Sequence, residues 1–234
     1  MGKGVRTTSA ALKELGLNIS DCAGILVTHE HSDHVKGLAT FLKKNPLPVY
    51  GADDTLDFLD ANGIVPASCE LRTLSGGEED VGDFGVTMFP TSHDVPCVGY
   101  RIHTPDNKTM TIATDLGVLT PPVHHALSGC DLVALESNYD LHMLRSGRYP
   151  YYLRSRIESN RGHLSNDECS AKLLELIQEG CKKFALCHLS QENNTPALAL
   201  QTMFNTLGAA GVVPEKDCIV QAQRRNEISP ALTF

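Results

Sequence analysis

Short apolar runs alternate with longer amphipathic stretches along most of this chain, the rhythm of an α/β protein and not of segregated helices and strands. Ala10, Ala11, Leu12, Leu15 and Leu17 make a helical stripe over 8–17. A strand follows over 24–27, then a polar loop, then a helix over 35–44 stopped by Asn45-Pro46. The pattern continues with a strand over 48–50, a helix over 55–62 and strands over 70–74, 85–90, 98–103, 108–115 and 132–136. Ser165, with Glu168 three residues on, reads as the capping box of a long helix. A strand over 183–188, a helix over 196–207 and a strand over 218–221 complete the alternation. With no internal repeat, low-complexity tract or linker, residues 1–234 read as a single domain.

The polar loop changes the picture. Thr28-His29-Glu30-His31-Ser32-Asp33-His34 follows Gly24-Ile25-Leu26-Val27 directly, so three imidazoles and a carboxylate sit where a buried strand turns into a helix. His29 and His31 can face one ion while Asp33 and His34, on the next helix, face a second. Imidazole and carboxylate suit zinc, manganese or iron. The H-x-H-x-D-H spacing resembles the metallo-β-lactamase superfamily, which implies a four-layer αββα sandwich within the α/β class. That fold hosts many hydrolases, so the motif leaves the substrate open.

Further ligands are sought where apolar runs end in a polar residue. His93 follows the strand over 85–90, Asp115 with Gly117 behind it ends the strand over 108–115, and His188 ends the strand over 183–188. Gly117 leaves room for close approach. The superfamily resemblance implies His29, His31 and His93 on one metal, Asp33, His34 and His188 on the other, and Asp115 bridging them. Two such divalent ions hold a hydroxide between them at neutral pH and clamp the charge of an in-line displacement, with Asp33 beside the nucleophile. His103, His124, His125 and His142 read as surface or supporting residues.

Glu136, at the end of the strand over 132–136, and His163, in Arg161-Gly162-His163-Leu164-Ser165-Asn166, resemble the Glu and His of ribonuclease Z-like enzymes. A carboxylate that orients an imidazole and favours its charged form suits a general acid. Together with Ser92-His93-Asp94, Ile112-Ala113-Thr114-Asp115-Leu116-Gly117, Leu135-Glu136-Ser137-Asn138 and the run from His188 to Pro196, these stretches make the chain similar to the YycJ/WalJ-type branch, over about residues 5–225. The resemblance implies 5′-to-3′ exonuclease action on DNA. Members of that branch carry further N-terminal strands ahead of the region matched here; their absence would uncover a sheet edge and open one wall of the site.

Composition narrows the partners. A formal net charge of −8 argues against a surface built to wrap nucleic acid but not against a local basic face. Such a face is present in sequence: Arg145, Arg148, Arg154, Arg156 and Arg161 stand against one acid, Glu158, with Tyr149, Tyr151 and Tyr152 among them. Arginine forks grip phosphate bidentately and tyrosine rings stack on unpaired bases, so Arg145, Arg148, Arg154, Arg161 and Tyr149 are candidate substrate contacts. No run approaches the ~20 apolar residues of a membrane span. Eight singly spaced cysteines and no visible export signal point to a reducing cytoplasm.

The expectation is a hydrolase with two divalent ions (zinc or manganese, with iron also accommodated), acting on nucleic acid, DNA ahead of RNA. It leaves a homodimer open. Rival readings are a (thio)ester hydrolase of the glyoxalase II or lactonase type, and a truncated, metal-binding member without catalysis.

Overall fold

The computed structural model describes residues 2–234 as two compact units, 2–88 with 95–98, and 89–94 with 99–234. The boundary between them falls inside two strands.

In the first unit, α1 (Val5–Glu14) precedes β1 (Ile25–Leu26), α2 (Ser32–Val35), α3 (Leu38–Leu42), β2 (Val49–Gly51), α4 (Asp53–Ala61), β3 (Leu71–Thr73) and β4 (Glu78–Val81). The order β1-β2-β3 is parallel throughout, with Ile25 opposite Val49 and Val49 opposite Leu71. Val27, Leu38, Leu42, Val49, Leu56 and Leu59 form the core of this unit. Two expectations need correction. The helix expected over 35–44 is shorter, because α2 has already ended at Val35 and α3 begins only after Gly37, a poor helix former at its N-cap position. β4 has no counterpart in the hydropathy pattern: Glu78-Glu79-Asp80 is poor strand sequence and is held by antiparallel pairing to β5, with Glu79 opposite Val86.

β5 (Phe84–Thr91) and β6 (Cys97–His103) cross the boundary. The second unit continues with β7 (Thr109–Ala113), α5 (Pro121–Leu127), β8 (Leu132–Glu136), α6 (Leu141–Ser146), α7 (Tyr151–Ile157), α8 (Asn166–Gln178), β9 (Lys183–Cys187), α9 (Pro196–Ala209) and β10 (Ile219–Ala222). Its strands lie in the order β10-β9-β8-β7-β6. β7, β8, β9 and β10 are mutually parallel, and β6 is antiparallel to β7. α5 opens on Pro121-Pro122: Thr120 stands at the N-cap position without a side-chain cap bond, and prolines fit the first turn, where amides have no intrahelical partner.

Every residue of β8 is buried, as a central parallel strand requires. Leu135, Phe184 and Leu186 pack with Leu173, Leu176, Met203 and Leu207 of α8 and α9 in one cluster. The capping box is present: Ser165 accepts from the Glu168 amide, and the Ser165 amide and hydroxyl donate to the Glu168 carboxylate. No disulfide links the eight cysteines, and no helix among the described residues is long and apolar enough to cross a membrane.

Phe184→Ala should cost about 3–5 kcal/mol, because a fully buried ring leaves a cavity. Ser165→Ala should cost about 1 kcal/mol through the lost cap. Urea unfolding monitored by circular dichroism checks both; equal effects would refute the burial ranking.

Candidate metal centre

Parallel strands in register bring their carboxyl ends to one line, the place where open α/β sheets present ligand-binding groups. Ala113 pairs with Leu135 and Leu135 with Leu186, while Glu136 pairs with Cys187. Asp115, Glu136 and His188 therefore emerge side by side from β7, β8 and β9. With His163 they offer ligand atoms that all lie within 4.8 Å of one another. Two carboxylates beside two imidazoles are a donor set that fits a divalent ion.

Within this cluster Glu136 is the anchor. It is fully buried. One oxygen accepts from His188 Nδ1 at 2.7 Å and His163 Nδ1 at 2.9 Å, and the other accepts from the backbone amides of Leu116 and Leu164, each at 3.1 Å. With both oxygens engaged, Glu136 serves to hold imidazoles. An imidazole that spends its Nδ1 proton on Glu136 turns Nε2 outward, free to coordinate a metal when neutral or to give up a proton when charged. His188 Nε2 lies 3.5 Å from Asp115 Oδ1.

Burial works against the charge on Glu136, but the adjacent His163 and His188 hold its carboxyl well below the ordinary carboxylate range. Burial likewise works against charge on His163, and Glu136 more than offsets it, so this imidazole keeps its proton to higher pH than usual. That is the state a general acid needs. His93 goes the other way: burial lowers its pKa despite the nearby Asp115. Its Nδ1 meets the Gly162 carbonyl at 3.1 Å, so Nδ1 donates and Nε2 is the lone-pair nitrogen, 3.9 Å from Asp115 Oδ1.

Two backbone features hold the cluster. Asp115 (φ 57°) and His188 (φ 53°) occupy the left-handed region that side chains rarely adopt. Asn138 stabilises the second of these, donating from Nδ2 to the His188 carbonyl at 2.8 Å. Gly117 and Gly162 allow the loops to touch: a Cβ on Gly117 would stand 2.2 Å from the Ser159 carbonyl oxygen, and one on Gly162 2.2 Å from that of Ile157. The close approach expected at Gly117 is therefore made by the His163 loop.

The first unit holds the other predicted donors. His29 is fully buried and its ring centroid lies 4.7 Å from that of His31 and 4.2 Å from that of His34. Its Nδ1 meets Thr28 Oγ1 at 3.0 Å and Cys97 Sγ at 3.5 Å. Asp33, largely exposed, reaches His34 Nε2 at 3.8 Å. Asp33 and His34 lie on α2, as expected of residues after the loop.

The basic segment is partly self-occupied. Arg145 forks onto Glu158 at 3.1 and 3.3 Å. Arg154 donates to the Arg145 carbonyl, and Arg161 to the carbonyls of His93 (2.9 Å) and Asp94 (3.0 Å). Arg148 is exposed and Tyr149 half-buried. His124, His125 and His142 are exposed, and His103 pairs with Thr109.

Three supporting residues carried no ligand signal of their own. Asp94 approaches His93 Nε2 to 3.1 Å and is itself held by Arg156. Asn194 donates to the carbonyls of Ser137 and Asn138 and, with Asn166, forms a buried amide pair beneath the Glu136 strand end. Asn138 joins this network to His188. Their sequence signal is membership of the motifs that carry the family resemblance, which gives them no role of their own.

Comparison with known proteins gives a concordant picture. A family described as β-lactamase superfamily domain matches residues 4–188. The chain is 35% identical over 208 residues to exodeoxyribonuclease YycJ of Bacillus anthracis, covering 88% of this chain and 78% of that protein. It is 32% identical to exodeoxyribonuclease WalJ of Streptococcus pneumoniae, covering 86% and 76%. Among solved structures, the metallo-β-lactamase fold protein YhfI of Bacillus subtilis aligns with a TM-score of 0.66 at 16% identity, over 88% of this chain and 77% of the other.

In metal-free protein, Glu136→Gln should make His163 titrate at lower pH than in the parent, because the carboxylate that favours its proton is gone. Histidine NMR resonances read this directly, and an unchanged titration would contradict the pairing. Gly162→Ala should destabilise by about 1–3 kcal/mol, since backbone cannot give way to the added methyl.

Proposed function

The chain belongs to the β-lactamase superfamily, in its YycJ/WalJ-type branch with the metallo-β-lactamase fold, and on that premise we propose that it is a metal-dependent phosphodiesterase, a 5′-to-3′ DNA exonuclease. The reading treats residues 1–234 as one functional domain. His29, His31 and His93 are assigned to one divalent ion, Asp33, His34 and His188 to a second, and Asp115 to both. Zinc or manganese suits this donor set, with iron also accommodated. When bound, the ions would supply an activated water at neutral pH and offset the charge that develops on the phosphoryl oxygens.

The observation that carries the reading is the grip of one buried carboxylate, Glu136, on both His163 and His188. It divides the imidazoles by role. His188 keeps Nε2 for coordination, and His163, held protonated, gives its proton to the departing oxygen as the P–O bond breaks. Asp33, exposed on α2, stands ready to orient the incoming water. The exodeoxyribonuclease names of the relatives, at 35% and 32% identity, favour DNA over RNA. The basic segment suits a phosphodiester more than the thioester or lactone of other superfamily members, with Arg145, Arg148, Arg154, Arg161 and Tyr149 as substrate contacts. Thiols that remain unlinked fit a reducing cytoplasm.

Metal analysis of purified protein coupled to digestion of 5′-phosphorylated and unphosphorylated oligonucleotides tests the proposal. Progressive loss of nucleotides from the 5′ end supports it, and no cleavage of either at full occupancy removes it. His31→Ala or Asp115→Ala should abolish hydrolysis of bis(p-nitrophenyl) phosphate; retained metal-dependent turnover in either overturns the assignment. His163→Ala should lower turnover about 10²–10⁴-fold with metal content kept. Equal loss of both would make His163 a ligand instead.

A further inference from the structure

Helix α7 carries two side chains that the metal centre leaves unexplained. Tyr151 and Tyr152 are 77% and 75% exposed, more open than any other exposed large apolar residue described, with Leu15 next at 50%. Two adjacent rings left in water are unusual for a surface with nothing to receive. They stand in the segment 141–161, which carries five arginines in a chain of net charge −8.

The ion pairs decide how much of that charge is available. Glu158 answers Arg145, and Asp94 answers Arg156. Arg154 and Arg161 rest on backbone carbonyls, which orient a guanidinium without neutralising it. Among the described residues no carboxylate forms an ion pair with Arg148, Arg154 or Arg161. The segment that carries the two rings therefore holds five arginines against one acid, Glu158, and is net positive, complementary to a polyanion.

Its position is equally specific. Tyr152 and Arg156 are four residues apart on α7 and share a face. Arg156 holds Asp94, Arg161 holds the carbonyls of His93 and Asp94, and the His163 amide donates to the Ile157 carbonyl at 3.0 Å. Tyr152 thus stands about one helical turn, roughly 5.4 Å of rise, from Arg156, which grips Asp94 beside His93.

We propose that Tyr151 and Tyr152 form a stacking platform for the unpaired bases of a single-stranded DNA end, with Arg148 and Arg154 on its phosphates, leading the strand toward His93 and His163. The chemistry downstream rests on the phosphodiesterase reading, whereas the binding step needs no metal. Every base has a π-face, so the platform is indifferent to sequence but needs bases that are not paired. Bases inside a duplex are already stacked and offer it only an end.

The test uses the full chain in EDTA, where nothing is cleaved, and reads anisotropy of a labelled thymidylate dodecamer, its uridylate counterpart and a blunt duplex. The double variant Tyr151→Ala/Tyr152→Ala should bind the thymidylate strand about tenfold or more weakly, with the duplex little affected. Tyr151→Phe/Tyr152→Phe, which keeps both rings, should bind as the parent does. The proposal is overturned by no binding in the parent, by unchanged affinity in the alanine variant, by an equal loss on duplex, or by tighter binding of uridylate than thymidylate. It is also overturned if the alanine variant dissociates a dimer of the parent in sedimentation, since the rings would then face a second copy of the chain. Hydrolysis of thymidine 5′-(p-nitrophenyl phosphate) by the parent with added manganese or zinc is read separately. Its absence alongside ring-dependent strand binding removes the phosphodiesterase reading alone, and its presence without ring-dependent binding removes the platform alone.

Discussion

A carboxylate buried without water depends on its donors, and much of the second unit is arranged to supply them to Glu136. Taking such a charge out of water costs several kcal/mol even after relaxation. Two imidazole N–H groups and two backbone amides offset that cost, and they come from three stretches of chain: the turn after β7, the loop before α8, which supplies two of them, and the end of β9. Moving any one of these stretches would strand part of a buried charge. The cluster is thereby fixed by the same interaction that sets the protonation of its histidines, and orientation and chemistry cannot be altered separately.

The strained backbone at Asp115 and His188 has the same logic. A left-handed non-glycine residue costs of order 1–3 kcal/mol and persists where its surroundings over-determine it. Here the surroundings are the Thr91 hydroxyl on the Asp115 carbonyl and the Asn138 amide on the His188 carbonyl. Next to Asn138, the Asn166–Asn194 pair closes on Ser137. Glycines at 117 and 162 remove the side chains that would keep the loops apart. Positioning of this kind places polar groups before substrate arrives, which is where much catalytic stabilisation resides.

The two units present different kinds of donor support. In the first, Thr28 and Cys97 approach the Nδ1 of His29, so a hydroxyl and a thiol hold the ring. In the second, a full charge holds His163 and His188. The H-x-H-x-D-H loop resembles the superfamily motif, while the Glu136–His163 pair flanks the basic segment in the chain. A fold sets where groups meet, and the groups themselves set what they recognise.

The chain by itself determined the alternation of elements, the histidine loop, the strand-end positions of His93, Asp115, Glu136 and His188, and the capping box at Ser165. These are local properties: a period, a spacing, or a polar residue at the end of an apolar run. Short-range rules failed at β4, where three acids in a row are a strand only because β5 pairs with them, and at the helix that starts only after Gly37. Only the tertiary structure decided that Glu136 holds His188 as well as His163, that Arg156 and Arg161 grip the His93 loop, and that Tyr151 and Tyr152 face water while Tyr149 is half-buried. Those facts are contacts between residues up to 68 positions apart or consequences of such contacts. A one-dimensional pattern carries no record of which donors a buried charge will find, since that is settled by how parallel strands register and which loops their ends bring together.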